Sequence, residues 1–500
     1  MRTLFDFAAK RAELSPDALA FVEFESGTRL SFAEFNTRAE RGADLFEPQI
    51  RRGDRIAVLC HNSAVFFELL FACGKIGAIL VPLNWRQTPA ELAPILTDCG
   101  AELLLCDAPT APLGEAMAAS TGVRLLTFAA YADLRAKAVA TSRRDPAWPS
   151  DRIWYLLYTS GTTGRPKAVI QTAGMALANA INVQQATALT SRDHTINFLP
   201  LFHTAGINLH TLPVFIAGGS NTVLAKFEVD PLIDLIAAGS ISVFFGVPSI
   251  YQLLSLSPRF AQADLSRVRH WGCGGAPLPE SLIRQYLSKN VRVCNGMGMT
   301  ETGPTVFLMD PERAAEKIGS VGKPQLLSEV RLVDIEGREV KAGQRGEILF
   351  RGPNITPGYY NNPEATAAAF TSDGWLRSGD IAYRDGEGYY FIVDRIKDMY
   401  ISGGENVYPA EVESVLCSHP VVLEAAVVGV ADARWGEVGH AAIRLRPGHT
   451  LGVAELRAFA RTQLAAYKVP KYVTVLEDFP RTAAGKVQKH LLRSALAEPS

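Results

Sequence analysis

The segment Tyr158-Thr159-Ser160-Gly161-Thr162-Thr163-Gly164-Arg165-Pro166-Lys167 lies between two apolar stretches, Ile153–Tyr158 and Ala168–Ile170. Its glycines allow successive N–H groups to point at one anion, its hydroxyls can donate further hydrogen bonds, and its lysine adds a positive charge. A Walker A loop is excluded, because only two residues separate Gly161 from Gly164 and a proline precedes the lysine. Such a run is often an ordinary solvated loop, so the order of its residues, more than their composition, predicts a phosphate-binding loop.

Six further blocks follow this loop along the chain. They are Leu199–Gly206 (LPLFHTAG), Gly298–Thr302 (GMTET), Ser378–Asp380 (SGD), Asp394–Asp398 (DRIKD), Ser402–Pro409 (SGGENVYP) and Pro480–Lys486 (PRTAAGK). In order and spacing, the seven blocks resemble the motifs of the adenylate-forming superfamily, and the resemblance covers essentially all 500 residues. Within it the chain is most similar to bacterial fatty-acyl and feruloyl-type CoA synthetases. The resemblance implies ATP, CoA and Mg²⁺ as cofactors and a small carboxylic acid as substrate.

Composition limits the classes of protein that the chain can represent. With 500 residues, 48% of them hydrophobic and 20% charged, it can bury a large core and is expected to form at least two domains. Fifty basic and fifty-one acidic residues leave no basic field for nucleic acid. No apolar run reaches the length of a membrane span, and the N-terminus lacks the apolar core of a secretory signal. Seven scattered cysteines without a Cys-x-x-Cys pair favour reduced thiols and a cytoplasmic location. A homodimer is left open.

Short apolar strands alternate with helix-length segments in the first part of the chain. Arg55–Cys60, Ser63–Ile76 and Ala78–Val81 predict a βαβ unit. The same alternation continues further along, so we predict an α/β fold with parallel sheets covered by helices. From Val330 to about Asp394, short strands and Asp-Gly or Glu-Gly turns predict a small barrel-like β unit.

The C-terminal part has a different pattern. Pro409 precedes a predicted helix over Ala410–Ser418, and strands Ala425–Val430 and Ala441–Leu445 are followed by a helix over Val453–Ala466. This pattern predicts a compact α+β domain. We therefore divide the chain into an AMP-binding and acyl-binding domain, residues 1–396, and a small mobile domain, residues 397–500.

The resemblance assigns the nucleotide-binding residues. They are Thr159, Ser160, Gly161, Thr162, Thr163, Gly164, Lys167, Gly275, Ala276, Pro277, Met297, Gly298, Thr300, Asp380, Arg395 and Lys486. Asp380 and Arg395 are implied to bind the ribose, and Glu301 is implied to bind Mg²⁺, a hard cation that prefers oxygen ligands. By residue type alone, the same side chains would be read as a surface ion pair and a solvated glutamate. Met297 stands where relatives have an aromatic residue that stacks on adenine, so here the purine would be covered by a thioether.

Four residues form the implied catalytic set: Lys486, His203, Thr159 and Glu301. Attack of a carboxylate on the α-phosphate brings two negative charges together, and a lysine between them stabilises the charge that develops in the transition state. Lys486 belongs to the small domain, so that domain must deliver it. His203 is implied to lie at the carboxylate end of the acyl pocket, although a histidine in an apolar stretch is more often part of the core.

A second half-reaction is implied by the same resemblance. The small domain would rotate about a hinge at Lys397, withdraw Lys486 and present Gly403 and Gly404 beside a thiol tunnel. Glycines suit a narrow channel, because they place no side chain in it. The implied CoA-binding residues are Gly403, Gly404, Trp435, Tyr467 and Lys471. Val469 departs from the basic residue that relatives use to bind a CoA phosphate.

The implied acyl pocket contains His203, Gly206, Asn208, Phe245 and Gly274. The segments that correspond to it, residues 203–213, 244–249, 272–279 and 295–306, contain no lysine or arginine. A second substrate carboxylate would be buried there without a partner, which disfavours short diacids. The acid is therefore expected to be mostly apolar. The resemblance favours an aromatic acid of the hydroxycinnamate or benzoate type, whose ring hydroxyl could meet Asn208. A medium- or long-chain fatty acid is the alternative.

Other members of the superfamily catalyse different reactions. Amino-acid-activating domains carry an aspartate at the position that His203 occupies here, directly after Phe202. The histidine therefore disfavours that class. A luciferase-like oxygenase and a non-catalytic acyl- or nucleotide-binding protein are further alternatives. A binding protein would be expected to have lost Lys486 or Glu301, and both are present. The sequence thus favours an ATP-dependent carboxylic acid–CoA ligase.

Overall fold

A computed structural model of the protein describes residues 2–138, 144, 147–159, 166–482 and 485–496. The strands are β1 (Thr3–Phe5), β2 (Leu19–Glu23), β3 (Arg29–Ser31), β4 (Arg55–Leu59), β5 (Ile79–Pro82), β6 (Ala101–Cys106), β7 (Arg124–Thr127), β8 (Ala147–Pro149), β9 (Ile153–Thr159), β10 (Lys167–Thr172), β11 (His194–Asn197), β12 (Ser220–Val223), β13 (Val243–Gly246), β14 (His270–Cys273), β15 (Val293–Met297), β16 (Phe307–Leu308), β17 (Lys323–Pro324), β18 (Glu329–Val333), β19 (Gly346–Arg351), β20 (Leu376–Arg384), β21 (Tyr390–Arg395), β22 (Tyr400–Ser402), β23 (Glu405–Val407), β24 (Val422–Asp432), β25 (Gly436–Leu445) and β26 (Tyr472–Val475).

The helices are α1 (Phe7–Leu14), α2 (Phe32–Phe46), α3 (Ala64–Ile76), α4 (Pro89–Cys99), α5 (Ala111–Thr121), α6 (Phe128–Lys137), α7 (Ala173–Thr187), α8 (Thr211–Ala217), α9 (Val229–Ala237), α10 (Pro248–Leu256), α11 (Glu280–Leu287), α12 (Pro363–Ala369), α13 (Pro409–Cys417), α14 (Val453–Arg461) and α15 (Lys489–Leu496). A short π-helix, Ala205–Leu209, precedes α8. No helix in the described part of the chain has the length and apolarity needed to cross a bilayer.

The predicted βαβ unit is confirmed in a six-stranded sheet with the order β10-β9-β5-β4-β6-β7. Strands β9, β5, β4, β6 and β7 are parallel, and β10 is antiparallel to β9. Helix α3 begins where the Ser63 hydroxyl accepts from the Val65 N–H, and ends at Gly77, whose φ of +73° is left-handed. Almost all of α3 is buried, and each buried Phe or Leu contributes about 1.5–3 kcal/mol of transfer free energy.

Two further sheets, a β unit and the antiparallel pair β1-β8 complete the large part of the molecule. Their strand orders are β11-β12-β2-β3 and β13-β14-β15-β16-β17, with parallel pairing at β11-β12-β2 and β13-β14-β15. The unit predicted after Val330 consists of four consecutive antiparallel strands, β18 to β21. The predicted class, a large α/β part with parallel sheets and a separate β unit, is confirmed.

The C-terminal α+β part is also confirmed, with different element bounds. Strands β24 and β25 form a hairpin longer than predicted. Helix α14 ends at Arg461 instead of Ala466. The prediction extended too far because Leu464 is buried at the spacing of Leu456 and Ala460, although its backbone has already left the helix. Two hydrophobic clusters of this part consist only of residues from Tyr400 onward. The boundary between residues 396 and 397 stays a prediction.

Candidate active site

Lys486 lies in the cleft between the large and the small part of the molecule. Gly485, at φ +79°, carries it past helix α10, where a β-carbon on Gly485 would lie 3.0 Å from the Ser249 hydroxyl oxygen. Lys486 Cε is 3.8 Å from the position of a β-carbon on Gly275. The turn is closed by the Thr482 N–H, which donates to the Lys486 carbonyl at 2.7 Å. The small part thus delivers Lys486 to the predicted adenine-binding wall.

Charged groups of both signs surround the Lys486 ammonium. Its pKa is lowered, mainly by desolvation and then by the Arg395 guanidinium, while Asp380 and Glu301 act in the opposite direction. The residue still keeps access to solvent in the cleft. A lowered pKa means that the ammonium lacks sufficient negative charge nearby. The arrangement suits a bound polyanion, which would supply that charge.

Asp380 and Arg395 form an ion pair across neighbouring strands. They are register partners in β20 and β21, and Arg395 Nε donates to Asp380 Oδ1 at 3.2 Å. The Asp380 side chain is 9% exposed and that of Arg395 is 44% exposed. Burial raises the pKa of Asp380, and the charges of Arg395 and Lys486 oppose that shift. The structure therefore brings together the pair predicted to bind ribose, beside Lys486.

Glu301 is buried in a short 3₁₀ turn, Thr300–Thr302, and its carboxylate has a partner that the sequence analysis missed. The Tyr359 hydroxyl donates to Glu301 Oε1 at 2.9 Å, and Lys167 Nζ lies 5.2 Å from the centroid of the Tyr359 ring. Desolvation, and next the Glu301 charge, raise the pKa of Tyr359, so it stays a neutral donor. Nothing in the sequence separates Tyr359 from the adjacent Tyr360.

The predicted phosphate-binding loop connects strands β9 and β10. Thr159 and Lys167 are opposite each other at its base, where the Thr159 hydroxyl is 3.4 Å from the Lys167 carbonyl oxygen. The predicted loop residues between them, Ser160, Gly161, Thr162, Thr163 and Gly164, lie outside the described residues. Because Lys167 packs on Tyr359, the loop begins and ends close to Glu301.

The other predicted nucleotide residues surround this cleft from strands β14 and β15. Gly275 has a φ of +86°, which a residue with a side chain rarely adopts, and Ala276 and Pro277 continue its turn. Met297 ends β15 and packs on the core of the β unit. A β-carbon on Gly298 would lie 1.7 Å from the Pro304 carbonyl oxygen, so no other residue fits there. The Thr300 carbonyl accepts from the Gln171 amide at 2.8 Å.

His203 and the π-helix that follows it form one wall of the predicted acyl pocket. Burial, with the Lys486 and Arg86 charges, lowers the pKa of His203 to about 4. Its Nε2 is buried and has no hydrogen-bond partner among the residues that the structure describes. A β-carbon on Gly206 would lie 2.4 Å from the Pro200 carbonyl oxygen, which explains the glycine. Neutral His203 thus stays available to a ligand close to Lys486.

Phe245 and Asn208 have different surroundings. Phe245 packs over Gly274, where a β-carbon would be 2.9 Å from its Cζ. Asn208 is buried, and its amide donates to the Tyr155 hydroxyl at 2.5 Å and to the Gly303 carbonyl at 3.1 Å. Both amide donors therefore hold the scaffold together. A ring hydroxyl could meet only Asn208 Oδ1, which has no partner in the described part of the chain.

Four of the predicted CoA residues meet at one edge of the small part. Gly403 and Gly404 form the β22–β23 turn with φ values of +60° and +88°, and a β-carbon on Gly403 would touch the Trp435 ring at 2.9 Å. Lys471 Nζ donates to Asp432 at 2.6 Å, and the backbone N–H of Trp435 donates to the same carboxylate at 3.0 Å.

Asp432, which the sequence analysis also missed, thus fixes the Lys471 side chain and the backbone of Trp435. Lys471, with two backbone N–H groups, lowers the pKa of Asp432 to about 2. Tyr467 lies in a nearby 3₁₀ turn and is 37% exposed. Lys397 follows β21 in the turn that leads to β22.

Comparisons with known proteins agree with this geometry. The sequence model of the AMP-binding enzyme family matches residues 8–360, and that of the AMP-binding enzyme C-terminal domain matches residues 411–486. A feruloyl-CoA synthase from Amycolatopsis sp is 41% identical over 493 residues, 98% of each chain. A long-chain-fatty-acid–CoA ligase from Mycobacterium tuberculosis is 36% identical over 97% of this chain and 96% of its own.

Among solved structures, ATP-bound MatB from Rhodopseudomonas palustris superposes with a TM-score of 0.92 at 32% identity, covering 99% of each chain. The likeness therefore includes both the large part with its nucleotide cleft and the small part that carries Lys486. The chain belongs to the AMP-binding enzyme family, whose members form adenylates.

Proposed function

We propose that the protein is an ATP-dependent carboxylic acid–CoA ligase that works through an acyl-adenylate. The observation that carries this proposal is the position of Lys486, which the small part places in the large part's cleft beside Gly275, the Asp380–Arg395 pair and the Glu301 carboxylate. Cations, carboxylates and a glycine-containing turn therefore line one cleft. They are complementary to the parts of a nucleoside triphosphate: a ribose, a purine face and a row of phosphates.

In the first half-reaction, a carboxylate oxygen of the acid attacks the α-phosphorus of ATP. The new P–O bond gives the acyl-adenylate. The bond from the α-phosphorus to the oxygen that bridges to the β-phosphate breaks, and pyrophosphate leaves with that oxygen and the bonding electrons. Lys486 offsets the charge that accumulates on the α-phosphate oxygens. His203, neutral and with Nε2 free of partners in the described residues, is available to orient the carboxylate.

Mg²⁺ fits the Glu301 carboxylate. Mg²⁺ sites in ATP-using enzymes combine one or two carboxylates with phosphate oxygens and water. Tyr359 donates to Oε1 of Glu301 and so orients the carboxylate. When bound, the ion would neutralise part of the charge on the β- and γ-phosphates.

In the second half-reaction, the CoA sulfur attacks the acyl carbonyl carbon. The thioester bond forms, the bond to the adenylate oxygen breaks, and AMP leaves with that oxygen. Lys486 occupies the cleft in this structure, so the small domain, residues 397–500, must turn about Lys397 before Gly403 and Gly404 reach the site. Trp435 and Lys471, held by Asp432, are proposed to contact the nucleotide end of CoA.

The proposed substrate is an aromatic acid of the hydroxycinnamate or benzoate type. The feruloyl-CoA synthase at 41% identity supports it. The absence of Lys and Arg from the corresponding segments 203–213, 244–249, 272–279 and 295–306 disfavours a second carboxylate on the acid. The fatty-acid ligase at 36% identity makes a medium- or long-chain fatty acid the second candidate. The cytoplasm remains the proposed location, since all seven cysteines are free thiols. A homodimer remains an open expectation.

Pyrophosphate release, measured with and without CoA, tests the proposal. The acids are ferulate, 4-coumarate, benzoate, octanoate, dodecanoate and malonate. We expect release with at least one aromatic acid, strong stimulation by CoA and a negligible rate with malonate. A fatty acid ranked first by kcat/KM would replace only the substrate class. Malonate ranked first would contradict the pocket argument, and release of phosphate instead of pyrophosphate would contradict the reaction itself.

A further inference from the structure

A small cavity adjoins the predicted acyl pocket. Its volume is about 10 Å³, which is the space that one water molecule needs. Gly206 and Phe245, both predicted acyl-pocket residues, form part of its wall, and Thr195 and His210 form another part. The cavity therefore continues the acyl pocket toward strand β11 and the beginning of helix α8.

Two side chains of this wall carry polar atoms without partners. Thr195 is 1% exposed and His210 is 5% exposed. Neither Thr195 Oγ1 nor His210 Nδ1 has a hydrogen-bond partner within the described ranges. His270 packs behind His210, with 6.3 Å between the ring centroids, and both of its ring nitrogens are likewise without a described partner. Buried polar groups are nearly always hydrogen-bonded in folded proteins, so these four atoms on three side chains offer hydrogen bonds to a ligand group or a water.

The other polar side chains that line the cavity, Asn197 and Thr211, have hydrogen-bond partners within the protein. The Asn197 amide donates to the Gly206 carbonyl at 2.6 Å and to the Thr211 hydroxyl at 2.7 Å, and its Oδ1 accepts from Asn62 at 2.7 Å. Thr195 and His210 are therefore distinguished from the rest of the wall.

The cavity is polar without being charged. Burial lowers the pKa of His210 to about 3 and that of His270 to about 4, so both rings are neutral. Arg269, next to His270, is held by Asp193 in a two-point ion pair at 2.9 and 2.8 Å. A carboxylate or ammonium group of a substrate would have no opposite charge to meet here.

We infer that Thr195 and His210 bind a hydroxyl group at the end of the acyl group remote from the carboxylate. This inference rests on the proposed function, because it places the acid between His203 and the cavity. A hydroxyl can donate to one of these side chains and accept from the other, since both threonine and neutral histidine offer a donor and an acceptor. An acid without this hydroxyl would leave the two groups unpaired, and sites built for a hydroxyl discriminate strongly against such analogues. The hydroxyl can come from an aromatic ring or from an ω-hydroxy alkyl chain.

Two pairs of acids separate these sources: 4-hydroxycinnamate with cinnamate, and 8-hydroxyoctanoate with octanoate. Dissociation constants come from calorimetry, which requires no turnover, and kcat/KM comes from pyrophosphate release. The variants are Thr195→Val, which keeps the shape of the side chain, and His210→Phe. Thr187→Val is the matched control, because the Thr187 hydroxyl is equally buried but donates to the Val183 carbonyl of its own helix.

The wild-type protein is expected to bind the hydroxylated member of the cinnamate pair about 10-fold more tightly or better. Thr195→Val and His210→Phe should each reduce that ratio about 10-fold, and Thr187→Val should leave it unchanged. A preference within the octanoate pair would support the hydroxyl site with an alkyl source. Equal binding of both members of both pairs by the wild type, or a ratio that survives both variants, would overturn the inference and assign the cavity to a structural water. Absence of pyrophosphate release would count against the proposed function alone, because the binding ratios would still decide this site.

Discussion

The two sides of the cleft differ in how they offer contacts to a ligand. On the proposed nucleotide side, charged groups are already engaged: Asp380 pairs with Arg395, and Glu301 accepts from Tyr359. On the proposed acyl side, Thr195 and His210 are neutral, buried and unpartnered among the described residues. This difference suggests that the nucleotide is recognised by a preformed network of charge, whereas the acid is recognised by shape and a few neutral hydrogen bonds.

The largest expected effect comes from Lys486→Ala, which removes the cation of the nucleotide side. Pyrophosphate release should fall about 10²- to 10³-fold, because one donor to the developing charge is lost. Transfer from supplied acyl-adenylate to CoA should persist, since no phosphate is attacked in that step. Rapid-quench assays of each half-reaction check this. Equal losses in both steps would show that Lys486 has another role.

The next effect concerns the proposed hinge, which lets one cleft serve both steps. Lys397→Pro fixes φ and should prevent the backbone from turning. We expect acyl-adenylate to accumulate while thioester formation slows about 10- to 100-fold. Lys397→Ala is the control, because it removes the side chain but leaves the torsion free. Normal thioester turnover in the proline variant would place the hinge elsewhere.

Tyr359→Phe tests the proposed nucleotide side at Glu301, the carboxylate predicted to bind the metal. The change deletes the hydroxyl that donates to Glu301 and leaves the ring on which Lys167 packs. Groups that orient a metal ligand are commonly worth about 10-fold in metal affinity, so the Mg²⁺ concentration at half-maximal rate should rise by about that factor. The control is Tyr360→Phe, at the adjacent tyrosine. An unchanged Mg²⁺ dependence would exclude Tyr359 from the metal site.

The smallest effect is a pH dependence that should differ between the two sides. Burial holds the pKa of His203 near 4, so its ring stays neutral above about pH 5.5 and should add no step to the kcat/KM profile up to pH 8. The pKa of Lys486 is lowered, so its charge, and the activity with it, should be lost at a lower pH than for an ordinary lysine. Lys486→Arg keeps its charge and should lack this alkaline decline. A histidine-like step near pH 6.5 would contradict the neutral acyl side.

The same division explains what the sequence could and could not predict. Lys486, Asp380 and Arg395 lie in motifs whose resemblance to the adenylate-forming superfamily implied their roles, and the structure brings them together. Tyr359 and Asp432 act through partners distant in sequence, at Glu301 and Lys471, so only the fold identifies them.

On the proposed acyl side, recognition of the acid depends on buried polar atoms that have no partner among the described residues. No sequence pattern shows which atoms these are. Asn208 looked available but uses its amide within the scaffold. The sequence analysis singled out neither Thr195 nor His210, yet both carry unpartnered atoms. Helix α14 shows the same limit locally, because its apolar spacing continues through Leu464 after the helix has ended.

The most direct test of the account is the fate of the substrate's carboxylate oxygen. An aromatic acid that is turned over is labelled with ¹⁸O in both carboxylate positions and incubated with ATP, Mg²⁺ and CoA, and the AMP is analysed by mass spectrometry. If a carboxylate oxygen attacks the α-phosphorus and stays with the nucleotide when the thiol attacks, each AMP will carry one ¹⁸O and the thioester will keep the other. Unlabelled AMP, or label in inorganic phosphate with ADP as the nucleotide product, would contradict an acyl-adenylate intermediate.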